Sequence, residues 1–349
     1  MKDLMRAAFI HGVRDVRLAS VPRPLPGDRE LLLAVRAVGI CGSDLHYYLE
    51  GGIGSAAVEA PLILGHEFAA EIVDVRAREF GFTPGALVAV EPARSCGSCE
   101  WCLQGHPNLC PTIYFAGSPP DLHGGLAEYV TAPPEALFPV PDSIDPSAAA
   151  LLEPLGVAIH AVDLAHLRPM DSVAILGAGP IGLLILQVAR LAGAGQLFAI
   201  DPIPSRTAIA EQLGADRTAS THEAVLEWTD GRGVDLVFEA TNSSLAPDQA
   251  TRAARIGGKV LLVGIPQEET FSFNASVMRR KGLTLKMVRR MKHTYPRAIQ
   301  MAASGRVQLV PLVTHRFPLE QTPAAFALQS ACEDGVLKSV VEINGPSDT

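Results

Sequence analysis

Two styles of hydrophobic patterning divide the chain. Up to about residue 155, short apolar runs are separated by Gly, Pro and Asp: LLLAVRAVGI (31–40), FAAEIVDV (68–75) and ALVAVEP (86–92) predict β-strands. Pro22, Pro24 and Pro26 predict an extended segment, and PPEALFPVPD (133–142) is a connection that a helix cannot run through. From Asp171 the style changes to continuous apolar strands alternating with helical patterns. SVAILG (172–177), a helix over 180–193, LFAID (197–201), a helix over 204–213, VDLVFEA (234–240), a helix over 245–255 and KVLLVGI (259–265) follow one another. Strands buried on both faces and joined through helices predict a parallel sheet, hence an α/β fold class. GLTLKMV (282–288) and a weaker strand near Arg217–Ser220 bring the sheet to six strands.

After Met291 the pattern predicts a helix (294–303), a strand near 309–317, a helix (322–331) and a closing strand SVVEI (339–343). This tail is expected to return to the first domain, which gives a β-rich domain over 1–155, a doubly wound domain over 156–293 and a returning segment over 294–349. The final NGPSDT reads as disordered. The run VAILGAGPIGLLILQVA (173–189) is uncharged and just long enough to be weighed as a membrane span. Its cluster of glycines and a proline between Gly177 and Gly182 reads instead as a buried strand entering a buried helix.

Composition narrows the function. With 29 Lys plus Arg against 37 Asp plus Glu, the formal charge is −8, which offers no basic field for nucleic acid. Lys2, Asp3, Arg6, Arg14, Asp15 and Arg17 interrupt any early apolar region, so a cytoplasmic address is expected.

The strand-to-helix turn at Gly177, Gly179 and Gly182 spells G-x-G-x-x-G in the context where that pattern binds a dinucleotide. The glycines permit a tight turn, close approach of the pyrophosphate and close helix–strand packing. Asp201 ends the next strand, where a carboxylate accepts hydrogen bonds from a ribose and repels a 2′-phosphate, so NAD is expected over NADP. Arg206 lies close by and reads either as packing along the ribose or adenine or as a solvated helix residue.

Of six cysteines, Cys96, Cys99, Cys102 and Cys110 fall as C-x2-C-x2-C-x7-C. Four thiolates this close, with Gly97, Gly105 and Pro107 turning the chain between them, predict a closed, structural zinc site. Chemistry needs an open site. Candidate ligands are Cys41 in GICGSDLHYY, His66 and Glu67 in LGHEF, and Glu153 in LLEPLGVAIH. One thiolate and one carboxylate neutralise Zn²⁺ while a histidine stays neutral, and the metal then lowers the pKa of a bound alcohol. Taken singly, Cys41 also reads as a small buried residue, His66 as a satisfied core histidine and Glu153 as a helix N-terminal charge.

GICGSDLHYY, LGHEFAAEI, the four-cysteine lobe, EPLGVAIHA and GAGPIG, in this order, resemble the zinc-dependent medium-chain dehydrogenases. The glutamate of Glu153-Pro154, Tyr47 after His46 and YFAGSPPDLHG (114–124) resemble its polyol (sorbitol/xylitol) branch. The resemblance implies a GroES-like β-rich catalytic domain and a Rossmann domain with the active site in the cleft between them. It implies NAD and two Zn²⁺ per chain. Cys41 and His66 become catalytic zinc ligands, Glu67 a ligand or close support, and Glu153 the group that holds or replaces the zinc-bound water. Ser43 and His46 match a proton relay, and Tyr47 contacts substrate. On the cofactor side it adds Ile181, Arg206, Val263, Gly264 and Ile265 to Gly177, Gly179, Gly182 and Asp201.

The chain departs from the family at Arg289-Arg290-Met291-Lys292-His293-Thr294-Tyr295-Pro296. Arg290 keeps the guanidinium of a substrate-binding Arg-Tyr pair, but Met291 removes the tyrosine hydroxyl. Arg289, Lys292 and His293 could serve cofactor phosphates, face solvent or favour an acidic sugar. The expected activity is oxidation of a secondary hydroxyl of a small polyol to a ketone, in a homo-oligomer (dimer or tetramer) with no nucleic-acid or membrane partner. L-idonate-type and L-threonine-type dehydrogenases, or a non-catalytic NAD- and zinc-binding protein, are the alternatives.

Overall fold

In the second half of the chain the strands that read as continuous apolar runs form one parallel six-stranded sheet. Its order is Arg217–Ala219, Gln196–Ile200, Ser172–Leu176, Val234–Glu239, Ala254–Leu262 and Thr284–Met287. Chain order therefore reverses between the two neighbours of Ser172–Leu176, the arrangement that leaves a crevice at the carboxyl ends of the strands. Every residue of Ser172–Leu176 is buried, as a strand covered on both faces requires. The structure is a computed structural model and describes residues 4–119, 122–268 and 270–343. The NGPSDT tail lies outside the described residues.

The chain divides into two units, Met1–Glu153 with Leu309–Thr349, and Pro154–Gln308. The return to the first unit thus starts at Leu309 and not at residue 294. The helix Tyr295–Ala303 stays with the second unit because Tyr295 and Ala298 are fully buried there and Arg297 pairs with Asp163 on the helix Leu152–Ala165. Within the tail, Val310–Leu312 is a 3-10 turn and the strand runs over Val313–Pro318. The apolar run at 173–189 resolves into the strand Ser172–Leu176 and the helix Pro180–Leu191. Among the described residues no helix is long and apolar enough to cross a membrane.

The first unit is β-rich. Its main sheet runs Leu137–Pro139, Leu87–Val90, Glu67–Ile72, Leu31–Gly39, Lys338–Glu342 and Val313–Pro318, with Tyr129–Ala132 also paired to Leu31–Gly39. A smaller sheet joins Asp15–Pro22, Leu4–Gly12 and Leu62–Ile63. Ile40, Tyr47, Phe68, Leu126 and Phe326 pack in one core, so the helices Gly42–Glu50 and Thr322–Ala331 are fastened to the sheets. Leu31–Gly39 lies inside the main sheet. It pairs with Glu67–Ile72 on one side, opposing Gly39 to Glu67, and with the returning Lys338–Glu342 on the other, opposing Gly39 to Val340.

Candidate active site and metal centres

The end of strand Leu31–Gly39 and the start of strand Glu67–Ile72 lie side by side, which brings Cys41, His66 and Glu67 together from distant parts of the chain. Their donor atoms all lie within 4.8 Å of one another. Gly65 turns the chain into His66 with φ +89°, and a Cβ there would stand 2.6 Å from Val38 Cγ1, so a larger residue fits neither the conformation nor the space. Cys41 caps the helix Gly42–Glu50, and its N–H donates to Asp44 Oδ2 at 2.9 Å. The other oxygen of Asp44 is 3.5 Å from His66 Nδ1. Phe115 packs on the His66 ring, with centroids 5.0 Å apart.

The charges here converge. Burial pulls the His66 pKa down, but the Asp44 carboxylate and the Cys41 sulfur outweigh it and hold the ring well above its usual value. Lys338 is 3% exposed, and its Nζ lies 2.9 and 2.7 Å from the two oxygens of Glu67 while donating to Ile40 O at 2.9 Å. Burial likewise lowers Lys338, and Glu67 and Cys41 raise it further than burial lowers it. Glu153 stands outside the 4.8 Å group. Burial pushes its carboxyl up to about 8, with His66 opposing the rise and Glu67 and Glu91 adding to it.

Ser43, His46 and Tyr47 share the helix with the Cys41 turn. His46 and Tyr47 are buried: His46 Nδ1 is 3.2 Å from Glu50 Oε2, and the Tyr47 hydroxyl is 2.9 Å from Ser118 Oγ. A thiol, an imidazole and a carboxylate, one donor fewer than a closed tetrahedral shell needs, match what an open zinc site requires. Sequence reasoning passed over Asp44 and Lys338. Asp44 had a signal, since it stands where a helix-capping carboxylate stands after Cys41. Lys338 had none: its oddity is to be a lysine buried at the start of a strand, which the sequence does not show.

The second group that could hold a metal is the lobe of Cys96, Cys99, Cys102 and Cys110, whose sulfurs also lie within 4.8 Å of one another. Cys99 and Cys102 sulfurs are 3.5 Å apart and those of Cys96 and Cys102 4.0 Å. A tetrahedron with Zn–S bonds of about 2.3 Å has edges of about 3.8 Å, so the four fit zinc. Backbone N–H groups of Ser98 and Cys99 point at Cys96 and hold its thiol down to about 5. Cys99 is pushed up to about 11: an N–H bond from Cys102 lowers it, but burial and the neighbouring sulfurs raise it further. A dication relieves that competition for charge.

The second unit carries the glycine turn. Gly177 has φ +95°, and a Cβ on Gly182 would stand 1.8 Å from Gly177 O, so the helix Pro180–Leu191 presses on the turn that precedes it. Gly179 caps that helix, and a Cβ there would meet nothing nearer than Arg206 Nη1 at 3.9 Å, which leaves a cradle in front of the helix N-terminus. Asp201 is buried and accepts from the N–H of Ala178 at 2.8 Å and of Ile203 at 2.9 Å, with Arg206 Nη1 at 3.7 Å. Val263 and Gly264 donate their N–H groups to Glu239 O, Ile181 lies at the first turn of the glycine helix, and Ile265 is exposed. Arg290 is half-buried with φ +55°. Met291 is buried, and a Cβ on Gly156 would stand 2.5 Å from its sulfur, so it packs on the helix Leu152–Ala165.

The model of the alcohol dehydrogenase GroES-like domain matches residues 27–142, and that of the zinc-binding dehydrogenases matches residues 180–304. Sorbitol dehydrogenase of Bacillus subtilis (strain 168) is 38% identical over 345 residues, covering 97% of this chain and 98% of the relative. This chain belongs to the polyol branch of the zinc-dependent medium-chain dehydrogenases. Solved dehydrogenase structures match most of its length. An Escherichia coli oxidoreductase of unknown specificity does so with a TM-score of 0.91 at 32% identity, covering 98% of this chain and 100% of its own. L-idonate 5-dehydrogenase of E. coli K-12 reaches 0.89 at 26%, covering 98% and 99%. In this dehydrogenase the six-stranded sheet is therefore the Rossmann domain and the β-rich unit the GroES-like domain.

Proposed function

We propose that this dehydrogenase oxidises a secondary hydroxyl of a sorbitol- or xylitol-like polyol to the ketone, reversibly, with NAD as the hydride acceptor. The observation that carries the reading is the contrast between the two metal-binding groups. Four thiols close one of them, whereas Cys41, His66 and Glu67 supply three donors and leave a side open, with Glu153 buried nearby. Zinc, when bound, makes the substrate hydroxyl easier to deprotonate, and NAD, when bound, accepts the hydride. Asp44 orients His66, Lys338 balances the charge of Glu67, and Phe115 shields the ring from water. Ser43 and His46, on the helix behind Cys41, pass the alcohol proton outward, and Tyr47 with Ser118 presents hydroxyl groups to a polyhydroxylated substrate. Glu153 holds a water or a substrate hydroxyl. Arg290 offers its guanidinium to the substrate.

Gly177, Gly179, Ile181 and Gly182 receive the pyrophosphate, and Val263, Gly264 and Ile265 line the nicotinamide end. Asp201 faces the adenosine ribose. Its carboxylate, only partly countered by Arg206, favours NAD over NADP. Six free cysteines suit a reducing compartment, and we place the enzyme in the cytoplasm as a dimer or tetramer. A sugar-acid substrate of L-idonate type is the second reading, favoured by Arg289, Lys292 and His293 around Arg290 and by the likeness to L-idonate 5-dehydrogenase.

The test is NADH formation, followed by its absorbance, on sorbitol, xylitol, ribitol, galactitol, L-idonate and L-threonine, with NADP in parallel. Turnover of polyols with NAD is expected. Turnover of L-idonate alone moves the substrate assignment, and silence on every substrate with two zinc ions bound overturns the catalytic reading.

A further inference from the structure

The turn that carries Cys41 is held by an amide side chain from the far end of the chain. Gln329 lies on the helix Thr322–Ala331 and is 7% exposed. Its Nε2 donates to Ile40 O at 2.8 Å, and its Oε1 accepts from the N–H of Ser339 at 2.5 Å. The N–H of Ile40 donates in turn to Ser339 O at 3.0 Å. The regular ladder between Leu31–Gly39 and Lys338–Glu342 ends at the pair Gly39–Val340. Just beyond that point the Gln329 amide stands in as one more rung, offering a donor to one strand and an acceptor to the other as a peptide group does. Glutamine is suited to this, since a glutamate lacks the donor and a methionine lacks both groups.

We propose that Gln329 is a positioning residue for the catalytic centre: it fixes the Ile40–Cys41 peptide so that the Cys41 sulfur faces His66 and Glu67. Ile40 O also accepts from Lys338 Nζ, but the buried N–H of Ser339 has Gln329 as its side-chain partner. Loss of the amide therefore strands a donor beside the Cys41 turn and loosens the residue that supplies the site's thiolate. Cys41 is the one soft donor in this group, so its placement controls how firmly a zinc ion is kept.

This inference rests on reading Cys41, His66 and Glu67 as zinc donors. It is tested on the full-length zinc-loaded protein by following metal release to a chromophoric chelator in wild type, Gln329→Met and Gln329→Glu. Wild type should release zinc in two phases, one from each centre. Gln329→Met should speed release from the Cys41 centre by about 10-fold or more, in the range seen for lost supports of metal ligands. Release from the four-cysteine lobe should not change, and Cys41-to-cobalt absorption in the cobalt-substituted variant should shift. Gln329→Glu keeps the acceptor for Ser339 but sets a carboxylate oxygen against Ile40 O in place of the N–H donor, so acceptor–acceptor repulsion at the Ile40–Cys41 peptide should also speed release, and it carries the test if the methionine variant does not fold. Unchanged release in both variants, or equal acceleration of both phases, overturns the role of Gln329. A wild-type protein that holds only the lobe zinc overturns the metal reading itself.

Discussion

Replacing Lys338 by methionine should strongly destabilise the GroES-like unit. Lys338 and Glu67 are 4% and 1% exposed at their side chains and meet at 2.7 Å. At an effective dielectric constant of about 20, two unit charges at that distance attract by about 6 kcal/mol. Removing one member of a buried pair strands the other, at a measured cost of about 3–5 kcal/mol. For a unit of roughly 150–250 residues, each kcal/mol moves the melting temperature by about 2–4 °C, so calorimetry of metal-free Lys338→Met should register a fall of about 6–20 °C. Two further arms locate the cause. Lys338→Met with Glu67→Gln should recover at least half of the loss, because the stranded charge is gone. Zinc loading should also shrink the deficit, because the ion gives Glu67 another partner. A melting temperature within about 2 °C of wild type, or a double variant no more stable than the single one, would falsify the idea that Lys338 serves as the counter-charge of Glu67.

Cys41→Ser and His66→Ala should each abolish turnover while leaving NADH binding, followed by its fluorescence, nearly intact; retained turnover in either variant rules out the catalytic zinc assignment. Asp74 should report on acid stability. Hydrogen bonds from Arg76 hold its carboxyl at about 2, against a usual 3.8, a depression worth about 2 kcal/mol. Since the folded-state pKa is the lower one, that stability is present above about pH 4 and disappears as the pH falls toward about 2. Asp74→Asn should be less stable than wild type by about 2 kcal/mol near neutral pH and indistinguishable at the acid end, as read by urea unfolding across that range.

Much of this was legible in the sequence because it is local. A strand buried on both faces is apolar along most of its length, so Ser172–Leu176, Gln196–Ile200 and Val234–Glu239 announce themselves, and glycine has few substitutes where φ is +95° and a Cβ would strike a carbonyl. Compact cysteine spacing made the metal lobe legible for the same reason. Elements without a buried stripe were not legible: the helix Ala275–Lys281 buries none of its residues, so no period marks it. The helix Tyr295–Ala303 was legible, but its allegiance was not, since that depends on Asp163 and on partners far away in sequence. Lys338 and Gln329 escaped for that reason too. Each acts through a contact that exists only once segments distant in sequence lie side by side, and neither belongs to a residue type that by itself suggests metal or hydride chemistry, whereas Asp44 left a local trace in its capping position three residues after Cys41.

The returning strand Lys338–Glu342 has a consequence for how the enzyme comes to exist on the ribosome. The sheet partner of Leu31–Gly39, the counter-charge of Glu67 and the amide that closes the ladder beside Cys41 all emerge only after the whole Pro154–Gln308 unit has been made. Contacts of such long sequence separation form late, while the Rossmann unit has all its strands in hand and can fold as it appears. The nascent chain therefore passes through an interval in which Glu67 and Cys41 are made but lack the strand that supports them.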